Sequence, residues 1–174
     1  LVAYRTPSFT ERDFYVLDMI STYLSDGKSS KLYKKLVDEQ KQALQVGAFN
    51  LGQEDYSMYI IFTIPLGETS LETINTEIEE EVAAMRNELI SENDYQKLQN
   101  IIENDFVNSN SGVEGIANSL ARNYLLYGDT NLINTQIDIY RSITREEIKA
   151  VVNKYLKPEQ RVIIDYLPET AAAN

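Results

Sequence analysis

The strongest constraint on the fold is a pair of strand-like segments joined by a short polar turn. Residues 44–49 and 58–64 both have the two-residue periodicity of extended strands. Between them lies the sequence Gly52-Gln53-Glu54-Asp55, which is typical of a turn. Strands joined this closely must pair antiparallel, because a parallel connection needs a dozen or more residues. The second strand is apolar on both faces, so we expect it to be central in the sheet and covered.

Helical patterns dominate the rest of the chain. Thr10 with Asp13 predicts a capping box at the first helix, and Thr144 with Glu147 predicts another at the last. Consecutive antiparallel strands followed by a helical half indicate an α+β fold, in which a mostly antiparallel sheet is covered by a layer of helices. Helices are predicted near residues 10–27, 29–37 (capped by Ser29 or Ser30), 71–89, 91–106, 113–128, 132–140 and 144–158, and the outer strands are 1–6 and 161–167.

The length of 174 residues suits one domain, predicted here for residues 1–168 with a tail at 169–174. The chain opens on Leu1-Val2-Ala3-Tyr4-Arg5, which resembles the middle of a strand. We therefore expect a fragment of a longer protein that lacks the first strand of its domain. Such a fragment would expose an unpaired sheet edge or an apolar patch.

Composition excludes several classes of chemistry. The chain contains no histidine and no cysteine, so the usual zinc ligands and the Ser-His-Asp and Cys-His catalytic groups are missing. We predict neither catalytic residues nor a metal site in this chain. The formal net charge of −11 disfavours nucleic acids and anionic membranes as partners. No apolar run approaches the roughly 20 residues of a membrane helix.

Three motifs have ordinary structural explanations. Gly27-Lys28-Ser29 resembles the end of a phosphate-binding loop, but the required earlier glycine is replaced by Thr22 and a helix precedes the motif. The acidic run 77–81 is interpreted as a solvated helix face, with weak cation binding as the alternative. Of the twelve tyrosines, four lie in or beside predicted strands and are interpreted as half-buried with the hydroxyl reaching water: Tyr4, Tyr56, Tyr59 and Tyr166. A peptide-binding surface is the alternative.

Three segments together resemble the pitrilysin/insulinase family of zinc metallopeptidases, which includes the mitochondrial processing peptidase. They match in order along nearly the whole chain, and the most specific part is Gly27-x-Ser29-Ser30-x-Leu32. The segments are 4–7 with 13–17, then 24–37, and finally 143–148 with 153–156 and 161–164.

The resemblance implies an α/β sandwich that forms the carboxy-terminal, non-metal half of a protease with two similar halves. In that family the amino-terminal half carries an inverted zinc motif, His-x-x-Glu-His. This chain has no histidine, so zinc is expected in the missing catalytic half. The implied partners are that half, on the same polypeptide or as a paired subunit, and a peptide substrate. Bacterial members are often exported, which favours the periplasm.

The same resemblance also points to positions near the substrate. Active members place an Arg and a Tyr, seven residues apart, at the substrate carbonyl, and these positions align with Val37 and Leu44. Neither side chain can donate a hydrogen bond, so the candidates for substrate binding are the neighbouring residues Tyr33, Lys34 and Lys35. Two functions follow: a chamber wall that binds peptide for a metallopeptidase, or a structural and interaction protein of the same fold without protease activity.

Overall fold

The computed structural model describes residues 1–167, and the predicted tail at 169–174 lies outside them. The strands are β1 (Val2–Pro7), β2 (Ala43–Leu51), β3 (Tyr56–Pro65) and β4 (Arg161–Ile163). They form a four-stranded antiparallel sheet in the order β2-β3-β1-β4. The predicted hairpin is therefore confirmed, and β3 has a neighbouring strand on both sides.

The helices fill the predicted positions. They are α1 (Arg12–Ser25), α2 (Leu71–Asn87), α3 (Glu92–Ser109), α4 (Val113–Tyr127), α5 (Leu132–Arg141) and α6 (Arg145–Tyr155). A π-helical segment, Tyr33–Glu39, lies between α1 and β2, and a short 3-10 turn, Pro158–Gln160, leads into β4. The α+β prediction of a sheet covered by helices is confirmed.

Two of the predicted helix starts differ from the structure. The capping box at Thr144 and Glu147 is confirmed. The one at Thr10 is wrong: Glu11 is the N-cap residue, and the Thr10 hydroxyl instead pairs with Ser8 Oγ at 3.0 Å. Ser30 provides no cap either, because its hydroxyl donates to the carbonyl of Gly27 at 2.7 Å and so stabilises the turn after α1.

The core lies between one face of the sheet and α1. On α1, the side chains of Val16, Leu17 and Ile20 have no solvent exposure. The sheet presents alternate residues to this helix, among them Tyr59 and Ile61, which are also fully buried. Helix α6 packs beside α1 against the sheet, and α2, α3 and α5 pack around these two helices. Burial of this inner face explains why α1 carries so many apolar residues.

The opposite face of the sheet is open in residues 1–167, so the expectation that β3 is covered on both sides is wrong. Met58 and Ile64 on this face are 39% and 46% exposed. The ring of Phe62 lies over Gly47 so closely that a Cβ added to this glycine would clash with it. We call this surface the outer face; its apolar members are Leu1, Ala3, Phe49, Leu51, Met58, Ile60, Phe62, Ile64 and Val162.

Strand ends also depart from the sequence pattern. The register of β2 shifts between Ala43 and Gln45, so Leu44 lies at a bulge and is 61% exposed. A bulge adds one residue to the strand and breaks its alternation. The last strand is shorter than predicted, because regular pairing stops at Ile163. One further hydrogen bond follows, from the Ile164 N–H to the carbonyl of Leu1 at 2.8 Å.

Truncating a buried side chain of α1 should destabilise the whole domain. Leu17→Ala removes apolar contacts and leaves a cavity in the core, so we expect the free energy of unfolding to fall by about 2–5 kcal/mol. Leu125→Ala on the 81% exposed surface of α4 is the matched control and should change it by about 0.5 kcal/mol or less. Urea denaturation followed by circular dichroism measures both; equal losses would contradict this account of the core.

Candidate functional site

A cavity of about 670 Å³ lies between α1 and the helical half. Its walls come from α1, α3, α4 and α5, with the turn after β2 closing one side. The volume lies in the range of about 300–1,000 Å³ that is typical of small-ligand sites. We call it the central cavity.

Aromatic rings form much of the wall of the central cavity. Tyr15 of α1 meets Tyr140 of α5 edge to face, with ring centroids 5.4 Å apart. Phe9 and Tyr127 form a second edge-to-face pair at 5.2 Å. Such pairs hold each other in fixed orientations, so the cavity has a defined aromatic lining.

Asp18 is the carboxylate that α1 contributes to this lining. The Tyr140 hydroxyl donates a hydrogen bond to Asp18 Oδ2 at 2.7 Å. Burial raises the pKa of Asp18 above its usual value, while the Tyr140 hydrogen bond and the charge of Arg122 act in the opposite direction. Burial and the nearby Asp18 charge raise the pKa of Tyr140, so its hydroxyl keeps the proton that it donates.

Asp18 was not predicted from the sequence as a functional residue. A weak signal exists, because Asp18 lies three positions after Tyr15 and four after Phe14, on the same side of an apolar helix. The partners Arg122 and Tyr140 are more than 100 positions away, and nothing in the sequence places them beside α1.

The structure separates the three predicted substrate-binding residues. Tyr33 is half-buried against the core, and Lys34 is exposed with Glu39 3.5 Å away. Lys35 is enclosed by Glu77, Glu80 and Glu81 of α2 at 2.8, 3.0 and 3.1 Å. None of the three lines the central cavity.

The acidic run of α2 is therefore an ion-pair cluster, and its interpretation as a solvated face is wrong. Partial burial opposes the charge of Lys35, but hydrogen bonds to Glu77 and its neighbours raise the Lys35 pKa overall. The hydrogen bond from Lys35 lowers the pKa of Glu77. Glu79 faces another way, where it pairs with Arg86 and, at 2.6 Å, with Arg161 at the start of β4. The cluster ties α2 to the segment before β2.

The positions aligned with the family's Arg and Tyr carry no polar group in this fold. Val37 packs against the core, whereas Leu44 points outward at the bulge of β2. Within residues 1–167, no group of three or more side chains is arranged to hold a metal ion. No helix in the same range is both long and apolar enough to cross a membrane.

The sequence of this chain is similar to a known protein family and to a known protease. A family model described as the peptidase M16 inactive domain matches residues 1–102. The zinc protease PqqE of Helicobacter pylori is 24% identical over 167 residues, which cover 96% of this chain and 37% of that protein. The chain thus spans less than two fifths of that relative.

Solved structures show the same fold. The structure of a protease from Helicobacter pylori superposes with a TM-score of 0.85 at 24% identity, covering 92% of this chain and 38% of that one. An inactive peptidase domain from Bordetella parapertussis superposes with a TM-score of 0.79 at 20% identity, covering 96% of this chain and 91% of that one.

Replacing Lys35 should reveal whether it stabilises the fold. Lys35→Met leaves three carboxylates without their cation, so we expect a loss of about 1–2 kcal/mol at pH 7. The pKa of Glu77 is lowered in the folded state, so this contribution is present at neutral pH and disappears as the pH falls through that pKa. Lys34→Met is the matched control and should cost about 0.5 kcal/mol or less. Urea denaturation between pH 3 and 7 measures the stability of both variants. If the two variants were equally stable, Lys35 would not stabilise the fold and would be available to bind a ligand.

Proposed function

Because the chain belongs to the peptidase M16 inactive domain family, we propose that it is the non-catalytic half of a zinc metalloendopeptidase. In this role it forms one wall of the reaction chamber and binds peptide for cleavage by the metal-bearing half. The observation that carries the proposal is the family match over residues 1–102, which is more than half of the chain. The zinc protease relative, more than twice as long as this chain, supports a larger parent.

Zinc does not fit this chain. The ligands that zinc prefers are imidazole and thiolate, and the sequence contains neither. The acidic residues of α2 already pair with Lys35, Arg86 and Arg161. We therefore place the zinc and its chemistry in the other half of the protease, and no bond-breaking step uses a residue of this chain.

The outer face is the surface that we propose to contact the metal-bearing half. It is continuous across all four strands and consists mainly of apolar side chains. Large exposed apolar surfaces are typical of interaction sites, because their burial removes them from water. The ring of Phe62 packs over Gly47 within this surface, so neighbouring strands contribute to it together.

A structural and interaction protein of the same fold is the second candidate. It is favoured by Val37 and Leu44, neither of which can hydrogen-bond a substrate carbonyl. In active members the corresponding donors stabilise developing negative charge, and losing one donor typically costs about 10²–10³ in kcat. This second function would be supported if the chain bound the metal-bearing half tightly but raised its rate of proteolysis little or not at all.

The chain by itself should neither cleave peptides nor bind zinc tightly, because it lacks the necessary ligands. Isothermal titration calorimetry with zinc chloride at pH 7 tests this, and no binding tighter than about 1 µM is expected. The metal-bearing half alone is the positive control. Sub-micromolar zinc affinity of this chain would contradict the assignment.

Association through the outer face should be sensitive to charge. Met58→Glu with Ile64→Glu places two carboxylates on that face, so we expect affinity for the metal-bearing half to fall tenfold or more. Leu89→Glu is the matched control, since Leu89 is also 39% exposed but lies in the helical layer between α2 and α3. Sedimentation and cleavage of a quenched fluorescent peptide measure binding and activity. Equal loss in both variants would contradict the proposed interface.

A further inference from the structure

We propose that the central cavity is a binding site for an organic cation, an alkylammonium or guanidinium group with an apolar stem. This inference concerns a ligand of this chain alone and goes beyond the proposed role in the protease. It rests on the position of Asp18, the surrounding aromatic rings and the balance of charge in the lining.

Asp18 offers an unused hydrogen-bond acceptor to the cavity. Its Oδ2 atom accepts the Tyr140 hydroxyl, but within residues 1–167 no side chain donates to Oδ1. Asp18 is partly buried and lines the cavity, so a cation that enters the cavity can pair with its carboxylate. The pKa of Asp18 is raised because its burial is not balanced by a close positive charge.

Aromatic rings surround the space next to this carboxylate. Tyr15, Tyr127 and Tyr140 line the cavity together with Phe9 and Phe14. A cation within about 6 Å of such rings is attracted by their negative faces, and an alkyl stem gains apolar contact from the same rings. Carboxylate and rings together select a positive group on an apolar chain over a hydrated metal ion.

The charged groups of the lining favour a cation over an anion. Asp18 and Asp105 are the carboxylates, and Arg122 is the single cation among the described lining residues. Arg122 is exposed and acts on Asp18 only through its charge, whereas the hydrogen bond comes from Tyr140. We place Arg122 at the edge of the site. There its positive charge repels a bound cation, but it does not itself form an ion pair with Asp18.

Calorimetric titration of the 174-residue chain tests the proposal. The probes are butylammonium, the capped peptide acetyl-Ala-Lys-Ala-amide, and the same peptide with norleucine in place of lysine, all at constant ionic strength. Both cations should bind at least tenfold more tightly than the norleucine peptide, because a charge-assisted hydrogen bond is worth about that factor. If only butylammonium binds, the ligand is a free amine; if the lysine peptide also binds, the site accepts a peptide side chain.

Three variants assign the binding to Asp18. Asp18→Asn should weaken cation binding tenfold or more while keeping an acceptor for Tyr140. Asp26→Asn removes the same charge from the exposed end of α1, outside the central cavity, and should change affinity by less than twofold. Arg122→Gln removes the competing charge and should tighten binding severalfold, a result that does not depend on the folding of the Asp18 variant.

Several results would overturn the proposal. No preference of the wild-type chain for the cationic probes would do so, as would equal effects of the Asp18 and Asp26 variants. Weaker binding in Arg122→Gln would mean that the cavity selects an anion. The proposed protease role is judged separately by association with the metal-bearing half. A chain that associates normally but ignores the cations refutes only this inference, and a chain that binds cations but not the other half refutes only the protease role.

Discussion

The packing of α1 against the inner face of the sheet is the contact on which the rest of the structure depends. Val16, Leu17 and Ile20 are fully removed from water, and they meet strand residues such as Tyr59 that are equally buried. Apolar burial is the main favourable term in folding, so this interface contributes strongly to the stability of the domain. The other helices are arranged around α1, which contacts α3, α5 and α6 as well as the sheet.

Ion pairs and hydrogen bonds fix the orientation of the helices around that core. Arg12 at the start of α1 binds Glu147 of α6 through two nitrogens, at 2.6 and 3.1 Å. Asp13 accepts hydrogen bonds from Lys154 and Tyr155 at the other end of α6. Lys35 ties α2 to the segment before β2 in the same way. These contacts are at or near the surface and individually weak, so their main effect is on alignment.

The sheet is buried on only one of its two faces, which leaves an apolar surface for a partner. The sheet buries its inner face against helices and leaves the outer face apolar and open within the described residues. An exposed apolar face of this kind is typical of interaction surfaces, which is why we propose it as the contact surface for the metal-bearing half. The central cavity lies on the helical side of the sheet, where α1 supplies its walls. Leu51 belongs to both surfaces, but the residues substituted to test them do not: Met58 and Ile64 lie on the outer face only, and Asp18 lines the central cavity.

Local sequence determined the elements of this protein, and tertiary contacts determined its sites. Periodicity identified the hairpin and the helices, because side-chain burial repeats every two residues in a strand and about every 3.6 in a helix. It could not reveal the bulge at Leu44 or the open outer face, since both depend on what packs against β2 and β3. The absence of histidine and cysteine by itself removed the side chains that zinc prefers as ligands. Only the fold joined Asp18 to Tyr140, because residues 122 positions apart become neighbours through long-range packing and not through local spacing.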